Sequence, residues 1–138
     1  MARNDAQMRS ESDPAMSIRN YRDLIAWQRA MDLTEAVYTA AASWPKTEMF
    51  GLTRQAKAAA VSVPCNIAEG QGRRGDAEFR HFLSIAHGSV REVETCVLLA
   101  ERLGFLKARE TEQLLDHAGE VGRLVTGLAN AIPTKDRR

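Results

Sequence analysis

The apolar residues between positions 79 and 103 repeat with the spacing of an α-helix, and this long pattern constrains the fold more than any other feature of the chain. At 100° per residue they share one broad face over about seven turns. Asp76 is expected to cap the start of this helix, and Gly104 is expected to end it. The residues on the apolar face are Phe79, Phe82, Leu83, Ala86, Val90, Val93, Ala100 and Leu103.

A second segment with helical spacing lies near the beginning of the chain. Asn20 is expected to cap this helix, with Asp23 as its third residue. The helix is expected to continue to Ser43, because the Trp44-Pro45 step disfavours a further turn. Its apolar residues at three- and four-residue steps are Leu24, Trp27, Met31, Thr34, Tyr38 and Ala41.

Two more helices complete the pattern. One is predicted to begin between Thr47 and Leu52 and to run toward Ala68, with a kink or a break at Pro64 because proline removes a backbone hydrogen bond. The other runs from about position 107 to position 131, with Leu114, Ala118, Val121, Val125, Leu128 and Ile132 on one face. Four amphipathic helices with short connections predict an all-α fold, an antiparallel up-down-up-down four-helix bundle.

The 138 residues are expected to form one folded domain. Residues 1–19 are polar and predict a disordered leader, residues 20–132 the bundle, and residues 133–138 a flexible tail. Cys65 and Cys96 supply neither a disulfide framework nor a zinc site. Without a signal peptide or an apolar run of about 18 residues, we expect a cytoplasmic protein that does not contact a membrane.

The stretch from Gly70 to Gly75 has the spacing G-x-G-x-x-G, which binds phosphate in dinucleotide folds. That fingerprint works only between a strand and a helix of a βαβ unit. Here a predicted helix precedes it, so a turn between helices is the simpler interpretation. A second interpretation stays open, in which backbone amides beside Arg73 and Arg74 hold a phosphate non-specifically.

Glu78 and His81 form a Glu-x-x-His pair, which is half of the ligand set that di-iron bundles use. The last helix offers no second copy, so Glu78 is better explained as a favourable charge at a helix N-terminus. No serine or cysteine has a recognisable base and orienting group. The sequence therefore predicts no enzyme, no cofactor and no metal, and a metal-dependent bundle enzyme is the least favoured alternative.

The charges are nearly balanced, with 19 Lys and Arg against 18 Asp and Glu, so nucleic-acid affinity would require local clustering. Between positions 51 and 91 there are six basic and three acidic residues. Arg80, His87 and Arg91, with Ser84, lie within about 60° of each other opposite the apolar face. Phosphate contact and a solvated face paired with carboxylates both remain open. The six basic residues are Arg54, Lys57, Arg73, Arg74, Arg80 and Arg91.

Asn66 and Glu69 bracket Ile67-Ala68 on the second predicted long helix. An amide and a carboxylate near a core must find hydrogen-bond partners, and Arg73 lies one turn beyond Glu69. Both residues are therefore interpreted as structural.

Three blocks of the sequence together resemble the "four helix bundle protein" family. This family includes proteins encoded in intervening sequences of bacterial 23S ribosomal RNA genes, and it is related to the accessory variability determinant of diversity-generating retroelements. The similarity extends from about Tyr21 to Ile132. Its blocks are Gly51-Leu52-Thr53-Arg54-Gln55, then Ala60-Val61-Ser62-Val63-Pro64-Cys65-Asn66-Ile67-Ala68-Glu69-Gly70, then Phe79-x-x-Phe82-Leu83-x-Ile85-Ala86-x-Gly88-Ser89-x-x-Glu92-x-Glu94.

The resemblance implies an antiparallel bundle that assembles as a homopentameric ring with a basic surface, and retroelement relatives that bind nucleic acid and a reverse transcriptase. Carried over to this chain, the basic region consists of the six residues named above. We therefore expect a non-catalytic scaffold that contacts the backbone of structured RNA or of an RNA/DNA hybrid through arginine. The alternative is a protein-interaction adaptor with no direct nucleic-acid contact.

Overall fold

A computed structural model describes residues 20–133 and shows four long α-helices in a closed, antiparallel arrangement. The helices are α1 (Ile25–Ala41), α2 (Leu52–Gln71), α3 (Asp76–Arg102) and α4 (Ala108–Ala131), with short 3-10 turns at Tyr21–Asp23 and Lys46–Glu48. Each helix packs against the next along the chain, and α4 packs back against α1. The predicted all-α bundle is confirmed. The predicted leader at 1–19 and nearly all of the predicted tail lie outside the described residues.

The core lies along the axis of the bundle and consists almost entirely of aliphatic side chains. Burial of each such side chain contributes about 1.5–3 kcal/mol, so these residues supply most of the driving force for folding. Within the described range, no helix is long and apolar enough to cross a membrane. The largest fully buried side chains are Leu33, Val37, Val63, Ile67, Leu83, Val90, Val93, Val97, Val121 and Val125.

The start of α1 differs from the expectation. The Asn20 side chain accepts a hydrogen bond of 2.9 Å from the backbone nitrogen of Arg22, and it thereby caps a 3-10 turn rather than the long helix. Leu24 follows with an extended backbone, ψ 124°, so α1 begins only at Ile25. The prediction that Asn20 caps the long helix is therefore wrong, and α1 also ends at Ala41, two residues early.

The face that α1 buries is rotated from the predicted one. Met31 and Tyr38 were expected inside, but they are 40% and 43% exposed. The buried stripe contains Ala30, Leu33 and Val37 instead. Because α1 has apolar residues on two neighbouring stripes, helical spacing alone does not select the one that meets the core.

Pro64 lies inside an uninterrupted α2, so the break that was one of the two expected outcomes does not occur. Proline cannot donate to the carbonyl four residues earlier, which is that of the fully buried Ala60. The hydroxyl of Thr34 on α1 lies 3.0 Å from that oxygen and 2.8 Å from the carbonyl oxygen of Ala30. The single hydroxyl proton of Thr34 is therefore shared between a carbonyl of its own helix and the acceptor that Pro64 leaves open.

Glycine sets the geometry at the top of the α2–α3 hairpin. A Cβ at Gly70 would lie 2.6 Å from Cβ of Phe82, so the two helices meet too closely there for any side chain. Gly75 has φ +96° and is the N-cap of α3. Asp76 is consequently the first residue of α3, and the prediction that it caps the helix is wrong.

The C-terminus of α3 and the start of α4 follow the predicted boundaries closely. Gly104 has φ +83°. Its amide donates to the carbonyl oxygen of Glu101 over 3.0 Å, and the amide of Phe105 donates to the carbonyl oxygen of Ala100 over 2.8 Å. This Schellman arrangement ends α3. Leu103, expected in the core, is 51% exposed beside this cap.

Candidate functional site

The six basic residues singled out in the sequence lie in three separate places on the bundle. Arg54 and Lys57 are near the start of α2, and Arg73 and Arg74 follow its end. The 19 residues from position 54 to position 73 correspond to about 28 Å along a helix. The remaining two, on α3, face its junction with α4. The structure therefore does not bring the six together into one site.

Lys57 and Arg54 line a shallow hollow on the outer side of α1 and α2. Its volume is about 790 Å³, and its wall is mainly apolar, with Met49 and Phe50 among the lining residues. The ammonium nitrogen of Lys57 lies 4.7 Å from the centre of the Tyr38 ring, which is cation–π geometry. This hollow combines apolar surface with two cationic side chains.

Arg73, at the α2–α3 turn, forms the pair with Glu69 that the sequence predicts. Its Nη2 lies 2.7 Å from Oε2 of Glu69, and its guanidinium lies 5.1 Å from the centre of the Phe82 ring. The hydrogen bond and the charge of Glu69 raise the pKa of Arg73. Arg74 is exposed.

The glycine-rich stretch is a turn between two helices. The residues before it are helical, so the interpretation as a turn between helices is confirmed. The amides of Gly72 and Arg73 donate 3.2 Å hydrogen bonds to the carbonyl oxygens of Ala68 and Gly70. These two amides are therefore not available to hold a phosphate.

The basic residues of α3 line the side that faces α4 rather than the side opposite the core. Arg80, Ser84 and His87 line a hollow of about 300 Å³ between the two helices. His87 and Arg91 line an adjoining hollow of about 570 Å³. The two hollows share residues from both helices, so they form one continuous groove, which we call the α3–α4 groove.

Sequence reasoning missed Arg123, which lines the α3–α4 groove from the opposite wall. A Cβ at Gly119 would lie 3.3 Å from its Nη1, so the guanidinium extends over that glycine. The sequence contains part of the signal for Arg123, a polar stripe at helical spacing on α4. The stripe consists of Gly119, Arg123, Thr126 and Asn130. That this stripe faces the basic side of α3 requires knowledge of the helix pairing.

Other polar side chains of the central block hold α2 against α3. The hydroxyls of Ser62 and Ser89 lie 2.8 Å apart, and the Asn66 amide donates to Ser62 Oγ over 2.9 Å. Asn66 therefore has the structural role that the sequence predicts. Glu78 and His81 are both exposed, and no group of three His, Cys, Asp or Glu within residues 20–133 is placed to hold a metal ion.

Comparisons with known proteins give the same architecture. A family model described as "23S rRNA-intervening sequence protein" matches residues 22–127. A crystal structure of a protein of unknown function from the S23 ribosomal protein family of Bacteroides thetaiotaomicron is similar, with a TM-score of 0.70 and 17% sequence identity. The similarity covers 78% of this chain and 100% of that one. No curated protein matches this chain.

Proposed function

Because the chain belongs to the family of 23S rRNA-intervening sequence proteins, we propose that it is a non-catalytic scaffold that binds nucleic acid in the cytoplasm. In this proposal arginine side chains contact the backbone phosphates of structured RNA or of an RNA/DNA hybrid, without reading base sequence. The chain assembles as a ring-shaped homo-oligomer, a pentamer, that repeats a modest basic surface around an axis. Repetition raises the total affinity through effective concentration rather than through one strong site.

The observation that carries the proposal is the state of the six basic side chains. Four of them, Arg54, Lys57, Arg74 and Arg80, form no ion pair with a carboxylate of residues 20–133. Unpaired cations on a nearly neutral molecule are available to a polyanion.

The two remaining side chains, Arg73 and Arg91, form ion pairs within their own chain segments. Arg73 and Glu69 are 46% and 51% exposed, and a surface pair of this kind contributes at most about 1 kcal/mol. In the other pair Arg91 is 67% exposed, whereas Glu94 is only 20% exposed. A phosphate therefore competes for Arg73 at little cost, and it reaches the N–H donors of Arg91 that Glu94 does not use.

Exposed apolar side chains support the oligomeric part of the proposal. Phe50 is 81% exposed and Met49 52%, and both line the α1–α2 hollow. A separate exposed apolar set lies on α3, where Leu99 and Leu103 are 44% and 51% exposed. Two different patches on one chain favour a heterologous contact between copies, which closes into a ring when the rotation allows.

The test of binding is a salt titration of the intact protein against a fluorescent RNA hairpin, measured by anisotropy. We expect log K to fall linearly with log salt, with a slope of about −0.7 to −0.9 for each phosphate engaged. Arg73→Ala combined with Arg74→Ala should weaken binding without unfolding the bundle. Arg102→Ala combined with Arg109→Ala is a control of equal charge at the other end of α3 and α4. Absence of binding at sub-millimolar protein, or affinity that is independent of salt, would refute the proposal.

The assembly is tested separately by light scattering of the purified protein. The proposal expects a particle of five times the chain mass of 15.3 kDa. A particle with the mass of a single chain across the micromolar range would contradict it.

The apolar hollow also favours a second candidate function, a protein-interaction adaptor. In that case Tyr38, Met49 and Phe50 would receive a partner protein, and a reverse transcriptase is the partner that the sequence resemblance implies. A partner that remains bound after nuclease treatment would favour the adaptor, whereas loss of the partner on nuclease treatment would favour the scaffold.

A further inference from the structure

We infer that the α3–α4 groove binds a single-stranded segment of nucleic acid, with Arg123 of α4 and Arg91 of α3 contacting successive phosphates from opposite walls. This inference rests on the proposed function and assigns it to a place on the molecule. It adds Arg123 and the floor of the groove to the residues that the sequence suggested.

The α3–α4 groove carries an excess of positive charge. Its lining contains three arginines, Arg80, Arg91 and Arg123, together with His87, and Glu94 is its one carboxylate. The side chain of Arg123 forms no hydrogen bond or ion pair with any residue of 20–133. Because Glu94 pairs with Arg91, the net excess of positive charge in the groove comes from Arg80 and Arg123. A cleft with a net positive lining concentrates anions.

The two arginines on α3 keep most of their hydrogen-bond donors available. Arg91 uses one terminal nitrogen for Glu94, at 2.8 Å, and Arg80 uses one for the carbonyl oxygen of Pro133, also at 2.8 Å. A guanidinium has five N–H donors, so most of each fork stays available. The two arginines are 11 residues apart in sequence, which corresponds to about 16 Å along α3 and is enough for several consecutive phosphates.

A glycine of α4, Gly127, lies on the wall of the groove. Gly127 costs α4 about 1 kcal/mol relative to alanine, yet no atom lies within 4 Å of the place where its Cβ would be. Packing within residues 20–133 therefore does not require glycine there. At Gly122, by contrast, a Cβ would meet Val90 at 3.7 Å, an ordinary contact with α3. The missing side chain at position 127 keeps the groove open to a ligand.

The width of the groove favours a single strand of nucleic acid over a double helix. Two packed helices have axes about 8–10 Å apart, so the depression between them is narrower than a double helix. One sugar–phosphate strand enters such a depression, and a basic groove that tracks the backbone is how proteins bind single strands without sequence preference. The segment would be a loop or an unpaired stretch of the structured RNA in the proposed function.

The experiment compares four variants for binding of a labelled 12-nucleotide single-stranded RNA of mixed sequence. Arg123→Ala should weaken binding about threefold to tenfold and reduce the salt slope by about 0.7. Arg109→Ala, on the same helix but outside the groove, should leave both unchanged. Gly127→Ala should weaken binding slightly because its methyl group occupies part of the groove, and Gly127→Glu should weaken it further because it adds a carboxylate. Both position-127 variants should retain the helical content and the melting temperature of the wild type or exceed it.

A blunt RNA duplex of the same charge serves as a competitor. The inference expects the duplex to compete less well than an unlabelled single strand. It is overturned if the duplex competes equally well, or if Arg123→Ala and Gly127→Glu bind like the wild type while Arg73→Ala with Arg74→Ala weakens binding. That last result would leave the proposed function intact, whereas a wild type that binds no RNA would remove both.

Discussion

The hydrogen bond that Thr34 supplies across the α1–α2 interface leads to a specific prediction about stability. Replacement of Thr34 by valine keeps the shape of the side chain and removes the hydroxyl, which is 3.0 Å from the carbonyl oxygen of Ala60. Because Pro64 has no N–H, that buried oxygen then loses the donor that α1 supplies. An unsatisfied buried acceptor costs about 1–3 kcal/mol, so Thr34→Val should lower the melting temperature by about 4–12 °C for a domain of this size.

A double-mutant cycle with Pro64→Ala isolates this effect. Alanine at position 64 restores the amide that α2 lacks, so the Ala60 carbonyl gains its intrahelical donor. Thr34→Val should then cost no more than about 0.5 kcal/mol, and the coupling between the two substitutions should be about 1–2 kcal/mol. The change in packing caused by Pro64→Ala is the same with threonine and with valine at position 34, so it cancels in the coupling energy.

The assay is urea denaturation followed by circular dichroism, at one fixed protein concentration because self-association would shift the midpoint. The reasoning would be refuted if Thr34→Val lowered the free energy of unfolding by the same amount with proline and with alanine at position 64. The Ala60 carbonyl would then have another donor, or the loss would come from packing alone.

Three further predictions follow from single contacts. Gly70→Ala should destabilise the bundle by about 1–3 kcal/mol, because the new Cβ would lie 2.6 Å from Cβ of Phe82; thermal melts check this, and an unchanged melting temperature would contradict it. Glu69→Gln should change stability by less than about 0.5 kcal/mol, since its pair with Arg73 is exposed, and should strengthen RNA binding at low salt, so weaker binding would argue against a role for that arginine. Burial raises the pKa of the Cys96 thiol and lowers its thiolate fraction at pH 8, so mass spectrometry should find iodoacetamide on the exposed cysteine of α2 first; equal rates would contradict this.

The long helices could be predicted from the sequence because their signals are local. The apolar period of α3, its glycine stop and the run toward position 131 in α4 each depend only on residues within the same segment. The Glu69–Arg73 pair belongs to this class too, since its members are one helical turn apart. Local periodicity therefore specified the helix types, the approximate boundaries and one ion pair.

The errors arose where a second segment decides the outcome. Either of two stripes on α1 satisfies helical spacing, and only packing against the other helices places Met31 and Tyr38 outside. At Pro64, a donor to the Ala60 carbonyl of α2 comes from Thr34, a residue on another helix. Neither feature has a signal inside its own segment.

The candidate site likewise depends on two segments that lie apart in the sequence. The sequence identified Arg80 and Arg91 as neighbours on one side of α3, but it gave no orientation for α4 relative to them. Arg123 comes close to that side only because α3 and α4 pack antiparallel, which places a residue from the middle of one beside the middle of the other. A site that two helices share is visible only once their pairing is known.

Hydrogen–deuterium exchange of the intact protein, with and without saturating 12-nucleotide RNA at low salt, tests the central claim most directly. The account predicts slower exchange in peptides that cover residues 80–91 of α3 and 119–130 of α4, and loss of that protection at high salt. Protection confined to the α1–α2 hollow, or exchange that RNA leaves unchanged, would contradict it.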